Sequence, residues 1–213
     1  MHDQQHRRRR NRVGQHRPSY CHGGFNTAIA IGNNATASAT APSSGGNFNL
    51  AVAVGDNAAA TAKGGLNGVF AIGKGATSTA NGVANLALAS GTKAAASATG
   101  VYNAALAIGE PGTNGRTLDV PTTATATGNF NRAVVLGNGS TAQAIGGTTT
   151  FPGRLVDIGN NTALTFGHGS NSFAGPTTSK RHFQLGLALG EAKKRRQRHQ
   201  QRVTEAPKGS GID

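Results

Sequence analysis

The chain has 213 residues, of which 32 are Gly, none is Trp and 5% are aromatic. So little large apolar area excludes an ordinary sandwich or helical bundle, which is stabilised by roughly 25 cal/mol for each Å² of apolar surface it buries. The formal net charge of +13 is concentrated at the two ends: residues 1–22 carry six Arg against Asp3 (+5), residues 180–213 carry nine Lys or Arg against Glu191, Glu205 and Asp213 (+6), and residues 23–179 carry six basic against four acidic side chains (+2).

Residues 1–22 read as a disordered basic arm. They start with positive charge but have no apolar segment of the kind a secretory signal contains. The run "RRRRNR" offers Arg7, Arg8, Arg9, Arg10 and Arg12 as a candidate polyanion-binding set. His2, His6, His16 and His22, with the single cysteine Cys21, have irregular spacing and read as incidental side chains of a flexible arm rather than a metal site. One cysteine excludes an intrachain disulfide. No metal or cofactor is expected.

From residue 23 to 190 one phrase recurs about eight times. It appears as "NTAIAIG", "NLAVAVG", "NGVFAIG", "NLALASG", "NAALAIG", "NRAVVLG" and "NTALTFG", and more weakly as "QLGLALG". Each full copy starts at an Asn (Asn26, Asn49, Asn67, Asn85, Asn103, Asn131, Asn161) and ends at a Gly (Gly32, Gly55, Gly73, Gly91, Gly109, Gly137, Gly167). The three central Gly spacings are 18 residues, and the others add 5 to 12. Within the phrase apolar residues alternate with period two, the pattern of a strand. After the Gly and two polar residues comes a second alternating run, as in "ATASA" (35–39), "ATSTA" (76–80) and "AAASA" (94–98). Two strands per unit predict a thin flattened coil, and units that cannot bury a face alone must stack.

In such a stack the Asn residues form a column whose side-chain amides bond one another. The Gly residues turn a corner where a Cβ would crowd the next coil or where φ must be positive. Of the two faces of the first strand, the larger residues (Ile29 and Ile31, Phe70 and Ile72, Leu106 and Ile108) are expected to close the coil. The Ala face (Ala28 and Ala30, Ala51 and Ala53) is then left exposed, flat and available for self-association. Residues 110–127 and 145–160 read as loops projecting from the coil, where recognition often resides.

Residues 191–213 read as a second basic tail, partly helical from Glu191. Lys193, Lys194, Arg195, Arg196 and Arg198 are its candidate polyanion contacts. Neither basic run interleaves aromatics for stacking on bases, so any such binding is nonspecific; a solvated tail with no partner is the plainer reading. No segment has the eighteen or so apolar residues of a membrane-spanning helix.

The units "AIAIGNNATASAT", "AVAVGDNAAATAKG" and "VFAIGKGATSTANG" resemble the head repeats of trimeric autotransporter adhesins, over residues 24 to about 174. The resemblance implies a left-handed parallel β-roll, secretion or cell-surface location, a host or matrix ligand, and a trimer. The unit here is longer than the usual head unit by a "G-[GV]-x-N" lead-in. The family's neck, heptad stalk and membrane-anchor strands are not found after residue 190.

Little points to catalysis, which needs polar groups converging in a pocket. Within residues 23–179 the acids are Asp56, Glu110, Asp119 and Asp157, the one His is His168, and no motif connects them. Asp56 and His168 fall at equivalent turn positions of different coils. "GKGAT" (73–77) lacks the strand-to-helix context of a phosphate loop. A threonine array of the ice-binding kind (Thr36, Thr61, Thr77, Thr79) is broken by Ala59, Ala95, Gln143 and Phe173. The sequence therefore predicts an all-β parallel solenoid of about eight coils between basic tails. Its expected role is a non-enzymatic structural or adhesin-like module, the rival being a polyanion binder that uses the tails.

Overall fold

The computed structural model describes residues 9–13, 19–41, 48–109, 121–151, 154–158, 160–175 and 184–190; for 9–13, 147–151 and 154–158 it describes the backbone alone. It is all-β. In chain order the strands are β1 (Arg9–Val13), β2 (Ser19–His22), β3 (Thr27–Ile31), β4 (Thr36–Thr40), β5 (Leu50–Val54), β6 (Ala59–Gly65) and β7 (Gly68–Ile72). Next come β8 (Thr77–Val83), β9 (Leu86–Ser90), β10 (Ala95–Val101), β11 (Ala104–Ile108), β12 (Thr123–Asn129), β13 (Arg132–Leu136) and β14 (Thr141–Ile145). The last are β15 (Gly147–Phe151), β16 (Arg154–Ile158), β17 (Asn161–Phe166), β18 (Asn171–Ala174) and β19 (Gln184–Leu189).

Successive coils give one strand to each of two parallel sheets. The first sheet has nine strands in the order β1-β3-β5-β7-β9-β11-β13-β17-β19 and the second has eight, β2 through β14 by even numbers and then β18. Register is kept from coil to coil: Ile29 pairs with Val52, Val52 with Phe70, Phe70 with Leu88, and Leu88 with Leu106. Strands in a ladder lie about 4.8 Å apart, so nine of them stack to about 38 Å. The solenoid predicted from the 18-residue period is the fold.

Three expectations are corrected. The inward face is the alanine face: Ala28, Ala30, Ala51, Ala53, Ala71, Ala89 and Ala107 of the first sheet, with Ala39, Ala62, Ala80 and Ala98 of the second, are all fully buried. Ile31, Ile72 and Ile108 instead point outward and are 43%, 42% and 36% exposed. Each coil folds two short strands back to back, and the interior between them is filled mainly by Ala, the larger inward residues being Cys21, Val69, Ser78, Val135, Thr165 and Ser172. The exposed alanine surface expected to mediate self-association is the core.

Second, residues 110–127 are not all loop. Thr123–Asn129 is β12, paired with β10 and β14, and 145–160 contains the antiparallel hairpin β15–β16. Third, the solenoid begins before residue 23. Arg9–Val13 adds to β3 and Ser19–His22 to β4, so these stretches of the arm are strands.

Asn34, Asn57, Leu66, Ala84, Lys93, Tyr102, Phe130 and Asn160 have positive φ without being glycine. Ala84, at φ 54°, occupies the corner position that leads into the buried Asn. An L-residue there costs about 1–2 kcal/mol, which exceeds the entropy a glycine loses on folding. Ala84→Gly is therefore expected to raise stability by up to about 1 kcal/mol, read from the midpoint of urea unfolding.

Candidate functional site

The repeated Asn residues are structural. Asn49, Asn67, Asn85 and Asn103 are 2% exposed. The Asn67 Oδ1 accepts from the Asn85 backbone N–H (3.0 Å) and from Asn85 Nδ2 (3.2 Å). Its own Nδ2 donates to Lys63 O and Gly82 O, both at 2.9 Å, and to Asn49 Oδ1 at 3.0 Å. Every polar group of the amide is thereby satisfied, by its own coil and the two neighbouring ones. The column runs on through Asn131 and Asn161, whose backbone N–H groups donate to the preceding Asn Oδ1 at 2.9 and 3.0 Å.

The glycine column is a second internal wall. A Cβ built on Gly55 would sit 2.5 Å from Gly73 O, and one on Gly73 would sit 2.5 Å from Gly91 O, both glycines having φ 124°. Both roles expected for these glycines are present at once.

Asp56 and His168 occupy the same corner of different coils. Each accepts a hydrogen bond from the preceding coil: Asn33 N–H to Asp56 Oδ1 at 2.9 Å, and Asn138 N–H to His168 Nδ1 at 3.1 Å. Five coil steps, about 24 Å, separate them. The structure does not bring them together. Glu110 and Asp119 lie outside the described residues, and of Asp157 only the backbone is described. Among the described residues no three His, Cys, Asp or Glu side chains are grouped so as to hold a metal ion. Cys21 is buried at an inward position of β2, in register with Ala39. No helix among the described residues is long and apolar enough to cross a membrane.

Of the candidate polyanion residues, Arg9, Arg10 and Arg12 belong to β1, at one end of the first sheet. Arg7, Arg8, Lys193, Lys194, Arg195, Arg196 and Arg198 lie outside the described residues, as does the helix expected from Glu191.

Two unlike outer faces remain. On the second sheet the outward columns are hydroxyl-rich: Thr36, Thr77, Thr123 and Thr141 in one, Ser38, Thr61, Thr79, Ser97 and Thr125 in the next, Thr40, Thr99 and Thr127 in a third. Lys63 is the one Lys or Arg on this face among the described residues. β12, "TATATGN", contributes three threonines that the sequence reading had placed in a loop.

On the first sheet the outward columns are apolar. Beside them a ridge runs along the corner: Phe25, Phe48, Leu66, Tyr102 and Phe130 are 54–59% exposed. Phe25 stacks on Phe48 with ring centroids 5.0 Å apart, and Tyr102 on Phe130 at 5.2 Å. Leu66, Tyr102 and Phe130 hold φ between 56° and 59°. Their backbone strain carries no sequence signal, because bulky residues are poor candidates for positive φ.

These columns, faces and corners define the chain as a parallel β-solenoid repeat protein. Comparison with protein-family models, with curated proteins and with solved structures finds no match.

Proposed function

We propose that the chain is a non-enzymatic, adhesin-like recognition module, secreted or displayed at a cell surface, with the hydroxyl face of the second sheet as its contact surface. The observation that carries this reading is the contrast between interior and exterior. Buried Asn and Gly columns spend their hydrogen bonds inside the stack, while Thr and Ser on the second sheet repeat outward across six coils on a rigid flat surface. Such a face suits a neutral, repetitive polymer such as a polysaccharide, whose hydroxyls meet an evenly spaced row of donors and acceptors. The β15–β16 hairpin, inserted between β14 and β17, adds to the recognition surface.

Nonspecific polyanion binding is the second reading, favoured by the three arginines of β1 at one end of the rod. Surface plasmon resonance of the full chain on immobilised chitin oligomers and on heparin, at low and high salt, separates the two. The adhesin-like reading expects retention on chitin independent of salt, weakened at least tenfold in Thr79→Arg/Thr125→Arg. Retention on heparin alone, falling steeply with salt, would establish the polyanion reading instead. Retention on neither surface rejects both.

A further inference from the structure

We infer that the outward face of the first sheet is an interface between two copies of this chain, packed side by side with rods parallel and equivalent coils opposite one another across a two-fold axis along the rod.

The face is too apolar to be ordinary solvent-facing surface. From β3 to β13 its outward positions include one charged side chain, Arg132. Ile72 is 42% exposed, Leu86 49% and Tyr102 58%. Such side chains, repeated over eight coils, leave on the order of 1,000 Å² of apolar area open. That exceeds the few hundred Å² usual for the largest patch of a monomer. It also meets the roughly 800 Å² per partner that a stable interface needs.

The occupant follows from the repeat. A surface whose columns recur once per coil is matched along its whole length only by another with the same rise. A second copy of this chain has that rise, and inserted residues do not disturb it: β13 and β17 keep the register across 30 residues of sequence.

A two-fold axis along the rod reverses the order of the columns. The column of Gly68 and Ala104 then faces the column of Phe70 and Leu106 in the equivalent coil of the other copy. In two coils a bulky side chain meets a small one, Phe70 opposite Gly68 and Leu106 opposite Ala104; elsewhere Leu50 meets Val52, Leu86 meets Leu88 and Arg132 meets Val134. The aromatic ridge falls opposite the column of Ile72 and Ile108, so Leu66, Tyr102 and Phe130 are covered. These three hold positive φ at a cost of order 1–2 kcal/mol each while remaining exposed in the single chain. Strain kept at exposed bulky side chains has a use if another surface receives them.

The geometry also favours two copies over three. An isologous pair consumes one flat face per copy. A ring of three, as the family resemblance implies, requires a second apolar surface on each copy; in the pair the aromatic ridge is already spent opposite the Ile72 and Ile108 column, and the second sheet offers hydroxyls.

The test is the mass of the full chain by sedimentation velocity across the micromolar range. The expected mass is that of two chains. Ile72→Arg/Ile108→Arg should weaken pairing at least a hundredfold with the far-ultraviolet circular dichroism unchanged, whereas Thr79→Arg/Thr125→Arg should leave the pair intact. In the otherwise unaltered chain, Ala104→Cys, beside the axis, should cross-link to a dimer with a short bismaleimide, and Thr99→Cys on the other sheet should not. The cross-link decides the matter if the arginine variant fails to fold. A single chain at every concentration, three chains, or two chains with no Ala104→Cys cross-link would overturn the inference. Chitin retention is read separately, so loss of the adhesin-like reading leaves this result standing, and the reverse.

Discussion

Gly73→Val is expected to abolish the cooperative unfolding transition of the central coils, or to cost more than about 4 kcal/mol where the variant still folds. The added Cβ would stand 2.5 Å from Gly91 O, and the obstacle is corner backbone tied to the preceding coil by the Gly91 N–H to Ile72 O bond (2.9 Å), which cannot step aside as a flexible side chain could. The φ of 124° adds strain whatever the space. Two other glycines calibrate the effect. A Cβ on Gly75 (φ 67°) meets only Lys93 Cγ, at 3.7 Å, and one on Gly190 (φ 111°) meets nothing within 4 Å. Alanine at either position should cost only the positive-φ penalty of about 1–2 kcal/mol. Urea unfolding followed by circular dichroism measures all three. Equal losses at 73, 75 and 190 would mean that conformation, and not the approach of the next coil, requires glycine.

Asn85→Ala should cost about 3–5 kcal/mol, the second-largest loss expected of a single substitution here. The side chain touches four partners in three coils. Its Oδ1 accepts from the Asn103 N–H at 2.9 Å and from Asn103 Nδ2 at 3.2 Å, and its Nδ2 donates to Asn67 Oδ1 at 3.2 Å, to Asn81 O at 3.1 Å and to Gly100 O at 2.7 Å. Removing it strands a buried backbone N–H and deprives buried carbonyls, each orphaned group costing roughly 1–3 kcal/mol. Asn33→Ala, at an exposed corner, is the comparison and should stay within about 0.5 kcal/mol. The same urea experiment decides: near-equal effects would show that the Asn column contributes little beyond any surface position.

The reach of the sequence differs from feature to feature. The Asn and Gly columns were legible because each reflects a constraint on one backbone atom of the next coil, and such constraints repeat with the coil. The facing of the first strand was misread. Alternation with period two separates two faces without saying which is inside. The assumption that Ile29 and Ile31 close the coil fails because the space between two back-to-back strands fits Ala28 and Ala30. β12 was missed because "TATATGN" follows an insertion and lacks the Gly-x-x lead-in of its counterparts. β2 left a signal: "SYCHGGFN" has the Gly-x-x-Asn corner of later coils, and counting back from Asn26 would have found it. For the hydroxyl face, the broken columns drew notice ahead of the threonines that continue beyond them.

The equal spacing of the central coils bears on how such a chain can change over generations. Asn49, Asn67, Asn85 and Asn103 make the same bonds upward and downward, each 18 residues from the next. The floor of one coil fits the ceiling of any other. Loss or duplication of one 18-residue block leaves no mismatched seam, whereas a shift of one residue turns every alanine outward. Rod length is thus an inheritable quantity that can vary in whole steps of about 4.8 Å without redesign of the interior.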